Sequence, residues 1–185
     1  MNIDQADPAE LAALREAFGV EDSGESALGW EAVHAFEADH KIVLPEPYRT
    51  FVAEITDGSS SGPPEYGLIS LAEMPADLDD GEERDLSKPF PLTEAWIWED
   101  DEDVVEDGDE RVERVYNHGS IVLGTDGCGL YWHLIVTGPH RGHIWQVGDV
   151  GASPFGDPFG CTTAEPGFTG WVRHWAANKP WHDAT

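Results

Sequence analysis

Residues 119–149, GSIVLGTDGCGLYWHLIVTGPHRGHIWQVGD, restrict the fold more than any other part of the chain. Three runs of apolar, β-branched or aromatic residues (Ile121 to Leu123, Leu130 to Val136, His143 to Val147) are separated by turn formers, which predicts a three-strand meander. Asp126-Gly127 stands between the first two runs as a hairpin dipeptide, and Gly138-Pro139 to Gly142 separates the second from the third. Sequential runs with short turns pair antiparallel. Such a sheet is marginal alone and needs helices packed on a face.

The flanks supply them. Asp7-Pro8-Ala9-Glu10 has the layout of a helix start, Leu11, Leu14 and Phe18 follow at helical spacing, and Gly19 ends the segment. Trp30, Val33 and Phe36 predict a second helix over about Gly29 to Asp39. Tyr48, Phe51, Val52 and Ile55 fall at i, i+3, i+4 and i+7 of a third, which starts near Pro47 and stops at Asp57-Gly58. Tyr66 to Leu71 reads as a first strand. Gly151 to Gly167, rich in Gly and Pro, reads as irregular, and Phe168, Trp171, Val172 and Trp175 mark a last helix over roughly Thr169 to Ala177. The expected fold is α+β: a mainly antiparallel sheet with N-terminal and C-terminal helices packed on one face, the other face partly open. With 185 residues and one core pattern, the chain is expected to form one domain over 1–185.

Charge breaks the pattern between Asp77 and Glu113, where 17 acidic residues meet 3 basic ones. This acidic insertion, at about 77–113, is interrupted by the aromatic segment Ala95-Trp96-Ile97-Trp98, read as a short strand, and the run Glu99 to Glu110 is expected to repel itself into a mobile loop. The whole chain carries 37 Asp plus Glu against 10 Lys plus Arg, a formal charge of -27, which opposes direct binding to nucleic acid or anionic lipid and attracts basic partners. Eight Trp, seven Phe and four Tyr argue against a chain that stays solvated. No secretory signal or bilayer-length apolar run is visible, so a cytoplasmic location is expected, with Cys128 and Cys161 as thiols.

Catalytic and cofactor readings fare poorly. Cys128, His133 and Asp126, with His140 and His143 nearby, contain the residue types of a nucleophilic or metal site, but their spacing across turns does not converge them, and His140-Arg141-Gly142-His143 reads as a solvated turn. Aligning Gly108 with the sixth place of a calcium loop puts Asp103 first, Val105 third, Asp107 fifth and Arg114 twelfth, so the third ligand and the bidentate Glu are missing. Gly124 to Gly129 lacks both the dinucleotide glycine order and the Walker lysine. The expectation is no enzyme, no metal site and no cofactor.

A Trp30-containing helix, then Leu44-Pro45-x-x-Tyr48-Arg49-x-Phe51 ahead of a helix ending in Asp57-Gly58, then Ile121-x-Leu123-Gly124, then Phe168-x-x-Trp171-Val172, together resemble the SUKH superfamily of Smi/Knr-type domains. The resemblance spans Trp30 to Trp175, and the acidic insertion departs from the minimal pattern. It implies a non-catalytic immunity protein that binds and neutralises a cognate bacterial toxin domain, a basic nuclease for example, by steric and electrostatic blockade. Complementary charge would speed that encounter. The expected docking residues are Trp96, Trp98, Glu99, Asp100, Asp101, Glu102, Asp103, Glu106, Asp107, Asp109 and Glu110, with a solvated acidic loop and two core tryptophans as the structural alternative. A regulatory interaction module with a non-toxin cellular partner is the alternative function.

Overall fold

Local signals set most element boundaries. Helix α1 (Pro8–Phe18) opens with the Asp7 side chain accepting from the Ala9 amide at 2.8 Å and closes on Gly19 at φ 64°. Helices α2 (Trp30–His40) and α3 (Tyr48–Glu54) follow the predicted spacing. Glu37 of α2, 6% exposed, locks the two together: it accepts from Arg49 at 2.7 and 2.9 Å and from the Leu44 amide at 2.9 Å. Burial alone pushes its carboxyl up, and the bonds from Arg49 and Leu44 bring it below the usual value. The structure, a computed structural model, describes residues 5–20, 26–73, 84–104, 109–156 and 165–181.

The meander forms as expected, as β2 (Ser120–Gly127), β3 (Leu130–Ile135) and β4 (Ile144–Gly148), each antiparallel to the next. Its first turn lies two residues beyond Asp126-Gly127: Gly127 pairs with Leu130, and the loop is Cys128-Gly129, both at positive φ (51° and 74°). Two positive φ values give the backbone twist that a two-residue hairpin needs, so the pairing register overrode the Asp-Gly signal. Two further strands complete the sheet: β1 (Trp96–Ile97) and β5 (Gly151–Pro154), in the order β1-β5-β4-β3-β2. Gly151 to Pro154 is therefore not irregular. Tyr66 to Leu71, in contrast, makes no named strand: Leu68 bridges Ser59, the Ile69 amide donates to the Leu123 carbonyl, and Leu71–Glu73 is a 3-10 turn.

Side-chain alternation divides the sheet between two cores. One face presents Ile121, Leu123, Trp132, Leu134 and Ile144 to a cluster that includes Leu14, Val33, Phe51 and Trp171, from α1, α2, α3 and the last helix, α5 (Phe168–Ala176). The other face presents Ile135, Trp145, Val147 and Ala152 to Phe90, Trp98 and Val115. That second face, expected to be partly open, is covered. Its cover is built by the acidic insertion and by helix α4 (Glu110–Asn117), a helix that the sequence reading did not predict.

Gly119 joins α4 to β2 at φ 60°. A Cβ there would lie 2.4 Å from the Phe90 nitrogen and 2.5 Å from the Lys88 carbonyl oxygen, so only glycine lets the 85–90 segment cross this close.

Candidate protein-docking surface

The acidic insertion is anchored from beneath by Trp98. Its ring is 6% exposed, packs edge-on against Trp96 (5.4 Å) and Tyr116 (6.1 Å), and its Nε1–H donates to the Asp149 carbonyl at 2.6 Å. As an exposed anchor Trp98 is thus excluded; it belongs to the second core. Trp96 is half-buried, paired in register with Ala152 on β5, and its Nε1–H donates to Asp101 at 3.0 Å.

From Trp98 the chain makes two tight turns. The Asp101 amide donates to the Trp98 carbonyl and the Val104 amide to the Asp101 carbonyl, while the Asp101 carboxylate accepts from both Trp96 and the Asp103 amide. Glu99, Asp100, Glu102 and Asp103 stand exposed on this ledge, whereas Asp101 is partly buried by its structural bonds. Glu106 and Asp107 lie outside the described residues. Asp109 caps α4 by accepting from the Arg111 amide at 2.9 Å, and Glu110 opens the helix exposed. The expected loop over Glu99 to Glu110 is therefore turns at its start and a helix cap at its end.

Two arginines temper the charge. Arg111 reaches Asp109 through Nε (3.1 Å) and Nη2 (2.9 Å), donates to the Asp103 carbonyl at 2.7 Å, and places its guanidinium 5.6 Å from the Trp96 ring centre. Arg114 pairs with Glu110 one turn away at 2.8 Å. Pro91, Leu92, Trp96, Asp101, Arg111 and Arg114 line an open groove of about 330 Å3. Sequence reading missed the groove because it predicted no element over Arg111 and Arg114. A larger recess of about 670 Å3, beside Ala17 and Trp175, lies between α1 and α5 on the helical side, away from the acidic run.

Cys128, Asp126 and His133, weighed for catalysis, have separate surroundings. Cys128 is exposed at the hairpin tip; Asp126 accepts from the Trp132 indole at 2.7 Å and the Glu65 amide at 3.1 Å. His133 is fully buried, its Nδ1 2.9 Å from the Ser120 hydroxyl, and burial, reinforced by the Arg84 charge, drives its basicity well below the ordinary histidine value. Cys161 lies outside the described residues. Among the described residues no group of three or more His, Cys, Asp or Glu is placed to hold a metal ion, and no helix is long and apolar enough to cross a membrane.

The model of the SMI1 / KNR4 family (SUKH-1) matches residues 30–173. The chain belongs to this family. The SUKH-1 match begins at the first residue of α2, ends within α5 and so takes in the whole sheet and the acidic insertion. No curated protein and no solved structure matches the chain. SUKH-1 membership fits an immunity-type role, in which the domain binds a protein partner and is generally non-catalytic. The resemblance carried by Leu44-Pro45, Tyr48 and Trp171 rests on core residues, each at most 2% exposed apart from Pro45. Those motifs therefore report the fold.

Proposed function

We propose that this SUKH-1 protein is an immunity protein that binds a cognate, basic bacterial toxin domain, such as a nuclease, and blocks it stoichiometrically. The observation that carries the reading is the ledge itself: Glu99, Asp100, Glu102, Asp103 and Glu110 are exposed around a groove walled by Trp96, on a turn pinned by Trp98 and Asp101. A fixed cluster of carboxylates steers a basic partner and raises its rate of encounter, while an aromatic wall in a groove offers the area on which affinity concentrates. Trp96 is the contact residue in this reading, Trp98 and Asp101 are its supports, and Asp109 and Glu110 extend the acidic rim along α4. Glu106 and Asp107 belong to the proposed rim by sequence alone.

The test is co-expression with basic toxin domains encoded beside this gene, followed by binding kinetics on the pair that copurifies. Replacing Glu99, Asp100, Glu102 and Asp103 together by Lys is expected to lower the association rate at low salt by about 10-fold or more and to flatten its dependence on ionic strength. Trp96→Ala is expected to act on dissociation instead, weakening binding by about 2 kcal/mol. An association rate and salt dependence untouched by the four lysines would remove the ledge from the interface.

A further inference from the structure

The turn between β3 and β4 sets two imidazoles against each other. His140 and His143 are the first and fourth residues of a turn closed by the His143 amide on the His140 carbonyl at 2.9 Å, and Gly142, at φ 92°, reverses the chain between them. Arg141, which could have filled the space with positive charge, is tied elsewhere: its Nη2 donates to the carbonyls of Val43 and Leu44 at 3.0 and 3.1 Å. The two Nδ1 atoms face each other at 3.4 Å, with ring centres 5.3 Å apart.

Protons follow from the partners. His140 Nε2 lies 3.0 Å from the Thr93 carbonyl, which only accepts, so the His140 proton sits on Nε2 and its Nδ1 carries a free lone pair. A separation of 3.4 Å is long for an N–H hydrogen bond to nitrogen, for which about 2.7–3.2 Å is usual. It matches two nitrogens bound to one tetrahedral cation, which at about 2.0–2.1 Å from the metal lie about 3.3–3.4 Å apart.

We propose that His140 and His143 form a bidentate site for a borderline first-row divalent cation, Zn2+ foremost, held through both Nδ1 atoms with water in the remaining positions. Paired imidazoles select zinc, copper or nickel over calcium and magnesium, which need oxygen ligands. The Thr93 carbonyl is the outer partner that orients a metal-binding histidine and fixes its tautomer. A chain of formal charge -27 also concentrates cations at its surface. With two protein ligands the site stays open, so the cation exchanges and can accept a donor from a bound partner.

Copper is the spectroscopic probe. One equivalent of Cu2+ added to the intact protein is expected to give an electron paramagnetic resonance spectrum with coupling to two imidazole nitrogens, and calorimetric titration with ZnCl2 is expected to show one saturable site per chain. His140→Gln and His143→Gln should each weaken zinc binding more than about 10-fold and each remove one nitrogen from the copper spectrum. His40→Gln, on α2, should change neither. A wild-type copper spectrum with oxygen ligands only, or zinc binding that persists at full strength in the two variants, overturns the proposal. The wild-type spectrum decides even if a variant fails to fold.

Discussion

The two faces of the sheet bury apolar side chains with the same alternation, yet they are covered by opposite kinds of sequence. On the helical face the cover comes from amphipathic helices whose aromatics interlock: Phe168 lies 5.1 Å from Tyr48 and 5.0 Å from Phe51, and Trp132 lies 5.8 Å from Trp171. On the acidic face the cover is a stretch dominated by carboxylates, in which Phe90, Trp98 and Val115 provide the fully buried contacts and Leu92, Val112 and Tyr116 the partial ones. A few apolar residues suffice when each meets the sheet. The difference shows that charge density in a segment predicts its outer surface and says little about its inner one.

Four measurements bear on this contrast. Trp132→Ala, on the helical face, empties a fully buried ring site and removes the indole bond to Asp126, and is expected to cost about 4 kcal/mol in urea unfolding. Val115→Ala, the corresponding truncation on α4, is expected to cost about 2 kcal/mol, which would establish the acidic cover as packed structure; a change under about 0.5 kcal/mol would show it to be a loose flap.

His133 probes the same face by pH. Its folded-state value is depressed, so the unfolded chain takes up a proton that the folded one refuses; the neutral ring's full stability is present above the ordinary value of 6.5 and is lost as pH falls below it. The loss is about 1.4 kcal/mol per pH unit until the depressed value is reached. Comparing wild type with His133→Gln between about pH 7 and about pH 5 isolates it, because relief of carboxylate repulsion is common to both proteins. Parallel pH profiles would mean that the folded protein admits the proton. Smallest of all, the four-lysine ledge variant is expected to change stability by less than about 0.5 kcal/mol, since those side chains are exposed. A large loss would tie recognition and folding together on this face.

The helical face was largely legible in the sequence, because Leu14, Val33, Phe51 and Trp171 each belong to an apolar set at helical spacing, and Asp7 and Gly19 bracket α1. So was the meander, whose β-branched and aromatic runs leave little choice. Helix α4 was missed although its signal was present: Asp109 is a cap residue, and Val112, Val115 and Tyr116 fall at i, i+3 and i+4. The surrounding carboxylates hid it, since a charge count weighs every position equally while a helix needs only one face to pack. Strand β5 was missed for the opposite reason. Gly151-Ala152-Ser153-Pro154 has almost no side chain to read, and its strand character comes from partners on both sides, Gly148 to Trp145 and Trp96 to Ile97. The groove beside Trp96 needed the fold itself, because only the pairing of Trp96 with Ala152 and the return of α4 bring Trp96 and Arg111 together.

The margins of the sheet have a consequence for recognition. At one margin β1 offers just two residues of backbone; at the other, the long strand β2 is already met by the Ile69 amide at Leu123 and by the Arg84 guanidinium at Ser120. Among the described residues, a margin this short and one already engaged at two carbonyls disfavour association by strand addition and the edge-to-edge stacking that leads to fibres. Recognition that does not use a sheet edge is tunable by point substitutions that leave the framework intact.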